Sequence, residues 1–266
     1  MWGTSMVLNR FFGSRKSAED PTLQFVPTTE LEATAEPESL RSIASRHLGT
    51  RFVKWVHYFD IYDRHLNDLQ SERARRGISD PLRVLEIGVW RGGSLEVWRD
   101  FLGDEAIIFG VDIDPESAKV SGDVAQVRLG SQTDEAFMRG VLEEMGGADV
   151  IVDDGSHRSD DVLTTLGLLY PTLACPGIYI IEDLHTSYWE DWGGGFKSRH
   201  SSVEQLKSLV DVLHTPYTNA RVDEFELGLT HGSIRGLHFY DSMVVVEKDT
   251  VPPPTPYRGG SWSDDS

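Results

Sequence analysis

The sequence has a single cysteine, few basic residues and no long hydrophobic run. One cysteine, Cys175, among 266 residues excludes an internal disulfide framework and is typical of a protein from a reducing compartment. No apolar stretch is long enough to span a membrane, and the amino terminus lacks the charged-then-apolar order of a signal peptide. A cytoplasmic location is therefore expected.

Basic side chains are also scarce relative to acidic ones. The chain carries 25 Lys and Arg against 43 Asp and Glu, which gives a formal charge of −18. A surface this negative repels nucleic-acid backbones and anionic lipid, so neither nucleic acid nor a membrane is an expected partner. The same charge is equally explained by solubility alone.

Composition divides the chain into three parts. Residues 1–40 mix Pro, Thr, Glu and Ser with scattered aromatics and are predicted to form a flexible arm without its own core. Residues 41–250 are predicted to form one domain, in which 41–70 is a helical region that either docks on the domain or covers a ligand. Residues 251–266 are predicted to be a disordered tail. An arm that packs on a neighbouring subunit would make a homo-oligomer, and this alternative stays open.

Short apolar runs alternate with helical patterns from residue 84 onward. This alternation predicts an α/β fold of βαβ units, with a mostly parallel sheet and an antiparallel pair at its end. Ligands of such sheets bind beyond the carboxyl ends of the strands. The predicted strands are 84–87, 107–112, 124–129, 148–153, 177–182, 224–229 and 237–247, and the predicted helices are 42–69, 94–103, 134–145, 159–170 and 203–213.

A glycine-rich turn follows the first strand, with glycines at 88, 92 and 93. Missing side chains let the backbone approach a ligand closely, and the next helix begins with free N–H groups. Residue 90 is a tryptophan, so the middle glycine of a dinucleotide motif is absent. Glu86 suits a cation such as the amino group of a methionine moiety, and Asp112 suits a ribose diol. The turn therefore favours S-adenosylmethionine (SAM) over NAD.

Acidic residues follow two later strands. Asp154 comes after the strand at 148–153, while Glu182 ends the strand at 177–182 and Asp183 follows it. If those strands are neighbours, the three carboxylates repel one another and recruit a cation, and an all-oxygen set suits Mg²⁺. His157 then lies close enough to act as a general base. Each residue alone is equally explained as a helix cap or turn residue, and only the combination predicts a metal site.

Further histidines and a glycine-rich loop accompany these residues. The segment 188–200 contains two tryptophans around three consecutive glycines and is predicted to be a mobile loop near the site. His185 is interpreted as a supporting or substrate-contacting residue. His231 and His238 are interpreted as structural.

Taken together, these motifs resemble the class I SAM-dependent methyltransferases. More narrowly, they are similar to the Mg²⁺-dependent sugar O-methyltransferases of antibiotic biosynthesis, the macrocin and mycinamicin type and their rhamnosyl relatives. Residues 49–54 follow the GTDK stretch of those relatives only loosely, so no contacts are assigned to this stretch. The resemblance rests on KWVHYFDIY (54–62), LEIGVWRGGSL (85–95), GVDIDP (110–115), VDDGSH (152–157), IEDLHTSY (181–188) and LHFYDSMVVVEK (237–248).

The resemblance implies a Rossmann-like fold with helices on both faces of the sheet, and SAM and Mg²⁺ as cofactors. It implies Mg²⁺ ligation by Asp154, Glu182 and Asp183, with His157 as the catalytic base. The predicted cofactor contacts are Glu86, Gly88, Ser94, Asp112, Ser131, Gln132 and Asp153, and the predicted substrate contacts are Tyr58, His185 and Tyr188.

The predicted function is transfer of a methyl group from SAM to a sugar hydroxyl of a natural-product glycoside. Three alternatives use the same residues. The first is a catechol-type or other small-molecule O-methyltransferase. The second is a metal-dependent enzyme like the relatives named as cephalosporin hydroxylases, and the third is a protein that binds SAM without turnover.

Overall fold

The computed structural model describes residues 30–32, 38–120, 122–217 and 232–259. Within these residues, seven strands form one sheet in the order β3-β2-β1-β4-β5-β7-β6. The first five strands are parallel, and β7 runs antiparallel between β5 and β6. The strands are β1 (Arg83–Ile87), β2 (Ile107–Asp112), β3 (Gln126–Leu129), β4 (Val150–Asp153), β5 (Gly177–Ile181), β6 (Ile234–Tyr240) and β7 (Met243–Lys248).

Helices connect the parallel strands and flank the sheet. Several begin at polar caps, for example at Asp134, whose carboxylate accepts a hydrogen bond from the Phe137 backbone N–H. The α-helices are α1 (Leu40–Arg46), α2 (Tyr58–Arg75), α3 (Gly93–Leu102), α4 (Glu135–Met145), α5 (Ser159–Leu169) and α6 (Ser202–Leu213).

The hydrophobic core has two halves, one on each face of the sheet. Successive strand side chains point to opposite faces, so Leu85 and Ile87 belong to one half and Val84 to the other. Helices α4, α5 and α6 cover the face that carries Leu85, while α1, α2 and α3 cover the opposite face. The prediction of a mostly parallel sheet with helices on both faces is confirmed.

Two predicted elements differ from the structure. The prediction of one helical region over 42–69 is wrong, since residues 47–57 are not helical and separate α1 from α2. Thr50 lies in that connection and is held by Glu96, whose carboxylate accepts from its backbone N–H at 2.9 Å. The prediction of one strand over 237–247 is also wrong, because the chain reverses at Asp241 and Ser242 to form the β6–β7 hairpin.

Several sequence predictions fall outside the described residues. They concern the arm over 1–29 and 33–37, the strand at 224–229, His231, and residues 260–266 of the tail. Residues 251–259 are described and have no regular secondary structure. Among the helices of the described ranges, none combines the length and the apolar character that crossing a membrane requires.

Candidate active site

The glycine turn after β1 lies directly against the loop that follows β4. Gly88 has a φ of +92°, and a Cβ built there would stand 2.0 Å from the Asp154 carbonyl oxygen. Any other residue would therefore push the two loops apart and strain its own backbone. Trp90 in the same turn also has a positive φ of 48°, a conformation that non-glycine residues adopt at a cost. The turn is thus fixed by local geometry and packs closely against the loop that follows β4.

Two predicted cofactor residues flank this turn. The Glu86 carboxylate is fully buried, and its Oε2 accepts a hydrogen bond from Trp98 Nε1 at 3.0 Å. Asp112 ends β2, and its two carboxylate oxygens accept from the backbone N–H groups of Trp90 and Asp114 at 2.7 and 2.8 Å. Both carboxylates are therefore held in fixed orientations beside the glycine turn, as the sequence predicts. Their contact with a cofactor stays a prediction.

A second group of predicted cofactor residues lies at the ends of β3 and β4. Gln132 Oε1 accepts from the Ser156 backbone N–H at 2.8 Å, and its Nε2 donates to Asp153 at 3.2 Å. Asp153 is 1% exposed, and burial raises the pKa of its carboxyl to about 7. It is placed to orient Gln132 rather than to reach a ligand itself. Ser131 is half-buried beside Thr133, its hydroxyl 3.0 Å from that of Thr133, and Ser94 lies in the first turn of α3.

Two of the three predicted metal ligands, Asp154 and Glu182, meet at the ammonium group of Lys54 together with Glu86. Lys54 Nζ lies 2.7 Å from Asp154 Oδ2, 2.7 Å from Glu182 Oε1 and 3.4 Å from Glu86 Oε1. The neighbouring ends of β4 and β5 bring Asp154 and Glu182 together, because these strands pair in parallel register. Asp183 follows with a φ of 52°. A positive φ at a bulky polar residue is a feature that concentrates at functional sites.

The pKa values in this cluster are shifted because several carboxylates are buried around one cation, the Lys54 ammonium. Desolvation raises the pKa values of Asp154 and Glu182. Neighbouring carboxylates raise them further, Glu182 and Asp183 in the case of Asp154 and Asp183 in the case of Glu182, while Lys54 lowers both. Burial lowers the pKa of Lys54, but the surrounding carboxylates raise it more, so that it lies well above its usual value. Sequence reasoning missed Lys54. The available signal was its place at the start of the KWVHYFDIY motif, directly before a buried aromatic helix.

His157 stands beside the same carboxylates. Its Nε2 lies 3.7 Å from Asp154 Oδ1 and 3.9 Å from Asp183 Oδ2. One ligand atom from each of these three residues falls within 4.8 Å of the others. Burial lowers the pKa of His157, partly offset by Asp183, which favours the neutral imidazole that a general base requires. Its backbone also has a positive φ of 55°.

Aromatic residues of α2 hold the acidic side chains in place. Tyr62 donates its hydroxyl to Glu182, and Tyr58 donates to Asp183 Oδ1 at 2.9 Å. Trp55 Nε1 donates to the same Asp183 oxygen at 3.0 Å. Tyr58 is 0% exposed, so the geometry does not support the predicted substrate contact for this residue. It positions a carboxylate instead.

The other two predicted substrate residues lie closer to the surface. His185 is half-buried, its Nδ1 lies 2.5 Å from Ser242 Oγ, and its ring packs against Trp189 with centroids 5.0 Å apart. Tyr188 is 47% exposed. The triple-glycine segment forms a hydrogen-bonded loop, with the Gly195 N–H donating to the Ser187 carbonyl at 2.8 Å. This loop brings the Trp192 ring within 6.2 Å of the His157 ring, so its predicted position near the site is correct.

Comparison with known proteins places this arrangement in a family. Residues 85–184 match the family described as "Methyltransferase domain". The chain is 34% identical over 226 residues to an 8-demethyl-8-(2-methoxy-alpha-L-rhamnosyl)-tetracenomycin-C 3'-O-methyltransferase of Streptomyces olivaceus, covering 81% of this chain and 55% of the relative. Residues 85–184 therefore belong to this methyltransferase family. It is also 32% identical to the demethylmacrocin O-methyltransferase of Streptomyces fradiae, over 85% of this chain and 57% of that protein.

A solved structure of the same family agrees in fold. MycE, a methyltransferase from the mycinamycin biosynthetic pathway, was determined in complex with Mg, SAH and mycinamycin VI. It is 31% identical, covers 80% of this chain and 54% of its own, and has a TM-score of 0.67. The chain thus spans about half the length of the family members it matches. The sequence-based resemblance to the sugar O-methyltransferases of antibiotic biosynthesis is confirmed.

Proposed function

We propose that this chain is a SAM- and Mg²⁺-dependent O-methyltransferase that acts on a sugar hydroxyl of a natural-product glycoside. The observation that carries the proposal is the group of Asp154, Glu182 and Asp183 beside His157, at the strand ends next to the glycine turn. The names of the relatives support the class of acceptor, since they are O-methyltransferases of rhamnosylated tetracenomycins, demethylmacrocin and mycinamicin VI.

The residues present fit a divalent cation. Asp154 and Glu182 are raised in pKa by burial and are already arranged around a positive charge, the Lys54 ammonium. Carboxylate oxygens are the ligands that Mg²⁺ prefers in proteins. Asp154, Glu182 and Asp183 would hold the ion, with Tyr62 and Tyr58 fixing the orientation of two of them.

The residues around the glycine turn fit SAM in the same way. Glu86 offers a buried carboxylate to a cationic group, and Asp112 offers one to a ribose diol. Gln132 is held by Asp153 and Thr165, the latter at 2.9 Å, and would lie at the side of the cofactor. When bound, SAM supplies the methyl group, and Mg²⁺ orients the acceptor hydroxyl and lowers its pKa.

The chain's own residues would accept the proton of the acceptor hydroxyl and align the acceptor with the methyl donor. His157, whose burial favours the neutral imidazole, would accept the hydroxyl proton at Nε2 while the sugar oxygen takes the methyl group and the C–S bond of SAM breaks, with its electron pair left on the sulfur. The acidic residues fix the acceptor against the donor, and such alignment is worth about 7–11 kcal/mol in favourable cases. The Trp192 ring lies beside His157, with the two ring centroids 6.2 Å apart.

The test is methyl transfer from SAM to a panel of deoxysugar glycosides with and without Mg²⁺, followed by product mass. We expect a singly methylated glycoside that forms only with the metal. A planar catechol in the same panel tests the catechol-type alternative. Methylation of the catechol but of no glycoside would overturn the assignment of the acceptor. Consumption of glycoside without methylation would overturn the assignment of the reaction as methyl transfer.

The His157→Ala variant tests the base. Because it removes the proton acceptor and leaves the cofactor residues in place, the rate should fall by about 10²–10⁴. The affinity for SAM, measured by calorimetry, should stay unchanged. His200→Ala removes an exposed imidazole from the loop and is the matched control. A His157→Ala enzyme as fast as the control would show that another group takes the proton.

A further inference from the structure

A second cluster of ligating side chains lies between α2 and the β6–β7 hairpin. It consists of His65 from α2, His238 from β6 and Glu247 from β7, and one ligand atom of each lies within 4.8 Å of the others. The imidazole nitrogens approach the same carboxylate oxygen, with His65 Nδ1 at 3.3 Å and His238 Nε2 at 3.1 Å from Glu247 Oε1. None of these residues takes part in the carboxylate cluster around Lys54.

The two nitrogens that point into this cluster are buried and lack hydrogen-bond partners. Within the described part of the chain, His65 Nδ1 and His238 Nε2 are among the few side-chain atoms in this state. A buried polar atom without a hydrogen bond is costly, and most such atoms in folded proteins are satisfied. One group that accepts two imidazole lone pairs and a carboxylate oxygen at once would satisfy both nitrogens and Glu247 together.

The arrangement around His65 prepares its Nδ1 for a metal. His65 is 2% exposed, and its other ring nitrogen, Nε2, lies 2.9 Å from the Tyr240 hydroxyl oxygen. If Nε2 carries the proton and donates it to Tyr240, Nδ1 presents its lone pair to His238 and Glu247. Metal-ligating histidines are oriented in this way by a partner on the second nitrogen.

We propose that His65, His238 and Glu247 bind a Zn²⁺-class transition-metal ion. Two imidazoles and one carboxylate are a ligand set that zinc uses with a water in the fourth position. Tetrahedral bonds of 2.0–2.1 Å place ligand atoms about 3.3–3.4 Å apart, close to the 3.1 and 3.3 Å seen here. Mg²⁺ prefers oxygen ligands, so this set distinguishes the site from the carboxylate cluster.

The surroundings give such an ion access and a structural role. A cleft of about 290 Å³ reaches His65 and Glu247 and is also lined by Asp68 and Glu72. His238 is 37% exposed in its side chain, which leaves room for a water ligand. The three ligands come from one helix and from both strands of the hairpin. The ion would therefore tie α2 to the hairpin that ends the sheet.

Zinc titration of chelator-treated protein in excess Mg²⁺ tests the site. We expect one tightly bound equivalent in the wild-type chain and in the His200→Ala control, and its loss in His238→Ala and in Glu247→Gln. Asp154→Asn should retain this equivalent, because its substitution lies in the other cluster. Co²⁺ bound in place of zinc should give the intense visible bands of four-coordinate cobalt, and these bands should disappear in both cluster variants.

Thermal unfolding supplies an independent readout. Zinc at a hundred times its Kd should raise the Tm of the wild-type chain by about 5–10 °C and leave that of His238→Ala unchanged. Glu247→Gln keeps the size of the side chain and serves if His238→Ala does not fold. Equal zinc binding by wild type and both variants would overturn the proposal, as would wild-type protein that binds zinc only through Asp154.

Discussion

At the scale of single residues, Lys54 is the side chain that decides the state of the carboxylate cluster. Its side chain is 5% exposed, and its ammonium lies between Asp154 and Glu182, at 2.7 Å from each. One buried positive charge faces several acidic groups, and a divalent ion supplies more charge in the same space. Lys54 and Mg²⁺ are therefore expected to act as alternative or shared partners of these carboxylates.

Replacing Lys54 by Met tests this relation. Without divalent ions, Lys54→Met should lower the Tm, because buried carboxylates lose the cation that offsets their repulsion. Addition of Mg²⁺ should raise the Tm of the variant by more than it raises that of the wild type. Thermal unfolding with and without Mg²⁺ measures both effects. Lys207→Met, which removes an exposed lysine from α6, is the control, and a Mg²⁺ shift equal in all three proteins would contradict the argument.

At the scale of secondary-structure elements, buried ion pairs join α2 to the sheet. Asp149 is fully buried just before β4, and its Oδ1 lies 2.7 Å from the guanidinium of Arg73 in α2. Its Oδ2 accepts from both the backbone and the side chain of Arg83 at 2.9 and 3.0 Å. One carboxylate thus connects a helix to the amino ends of two strands, β1 and β4, and the candidate active site lies at the carboxyl ends of the same strands.

Removing this charge should destabilise the fold. In Asp149→Asn the Arg73 guanidinium stays buried without its counter-charge, which costs about 3–5 kcal/mol for pairs of this kind. Urea unfolding of the variant and wild type measures the difference. Glu116→Gln breaks the exposed pair with Lys119 and should leave the free energy of unfolding nearly unchanged. A similar small effect for both substitutions would mean that Asp149 is not a structural link.

A second carboxylate, that of Asp249, makes the stability contributed at the carboxyl end of α2 depend on pH. Asp249 follows β7 and bonds Arg76 at 2.9 and 2.5 Å. Partial burial raises the pKa of Asp249, but the hydrogen bonds from Arg76 and from the Thr250 backbone, together with the charges of Arg76 and Arg235, lower it more in sum, so the net shift is downward. A lowered folded pKa adds stability that is present above the unfolded value of 3.8 and is lost as the pH falls through the folded value.

We therefore expect Asp249→Asn to be less stable than the wild type at neutral pH. The gap should close as the pH falls below the ordinary aspartate range, because protonation removes the same charge from the wild type. Urea unfolding over a series of acidic buffers measures the gap. A difference that stays constant down to the lowest pH would show that the ion pair does not contribute.

At the scale of the whole molecule, the net charge of −18 is a source of self-repulsion. Screening shortens the range of this repulsion, with a Debye length of about 10 Å at 0.1 M salt. We expect the Tm to rise between low and moderate NaCl concentrations, as measured by calorimetry in one buffer. A falling Tm would mean that screening of ion pairs such as Arg76–Asp249 outweighs the relief of repulsion.

The sequence alone determined which segments form the parallel strands and which polar residues follow them. Apolar runs that alternate with helical patterns predict the parallel sheet, and polar residues after each run mark the ligand-binding edge, because side chains beyond a buried strand must reach solvent or a ligand. Asp154, Glu182, Asp183 and His157 were found in this way, and the structure brings them together.

Only the tertiary structure decided which side chains from distant segments complete the sites. Lys54 and Glu182 are 128 residues apart, and His65 and Glu247 meet only because α2 packs beside the hairpin. Local periodicity also predicted one helix over 42–69, whereas residues 47–57 instead connect two helices and deliver Lys54 to the cluster. Such contacts depend on how elements pack against each other, and local sequence carries no record of that packing.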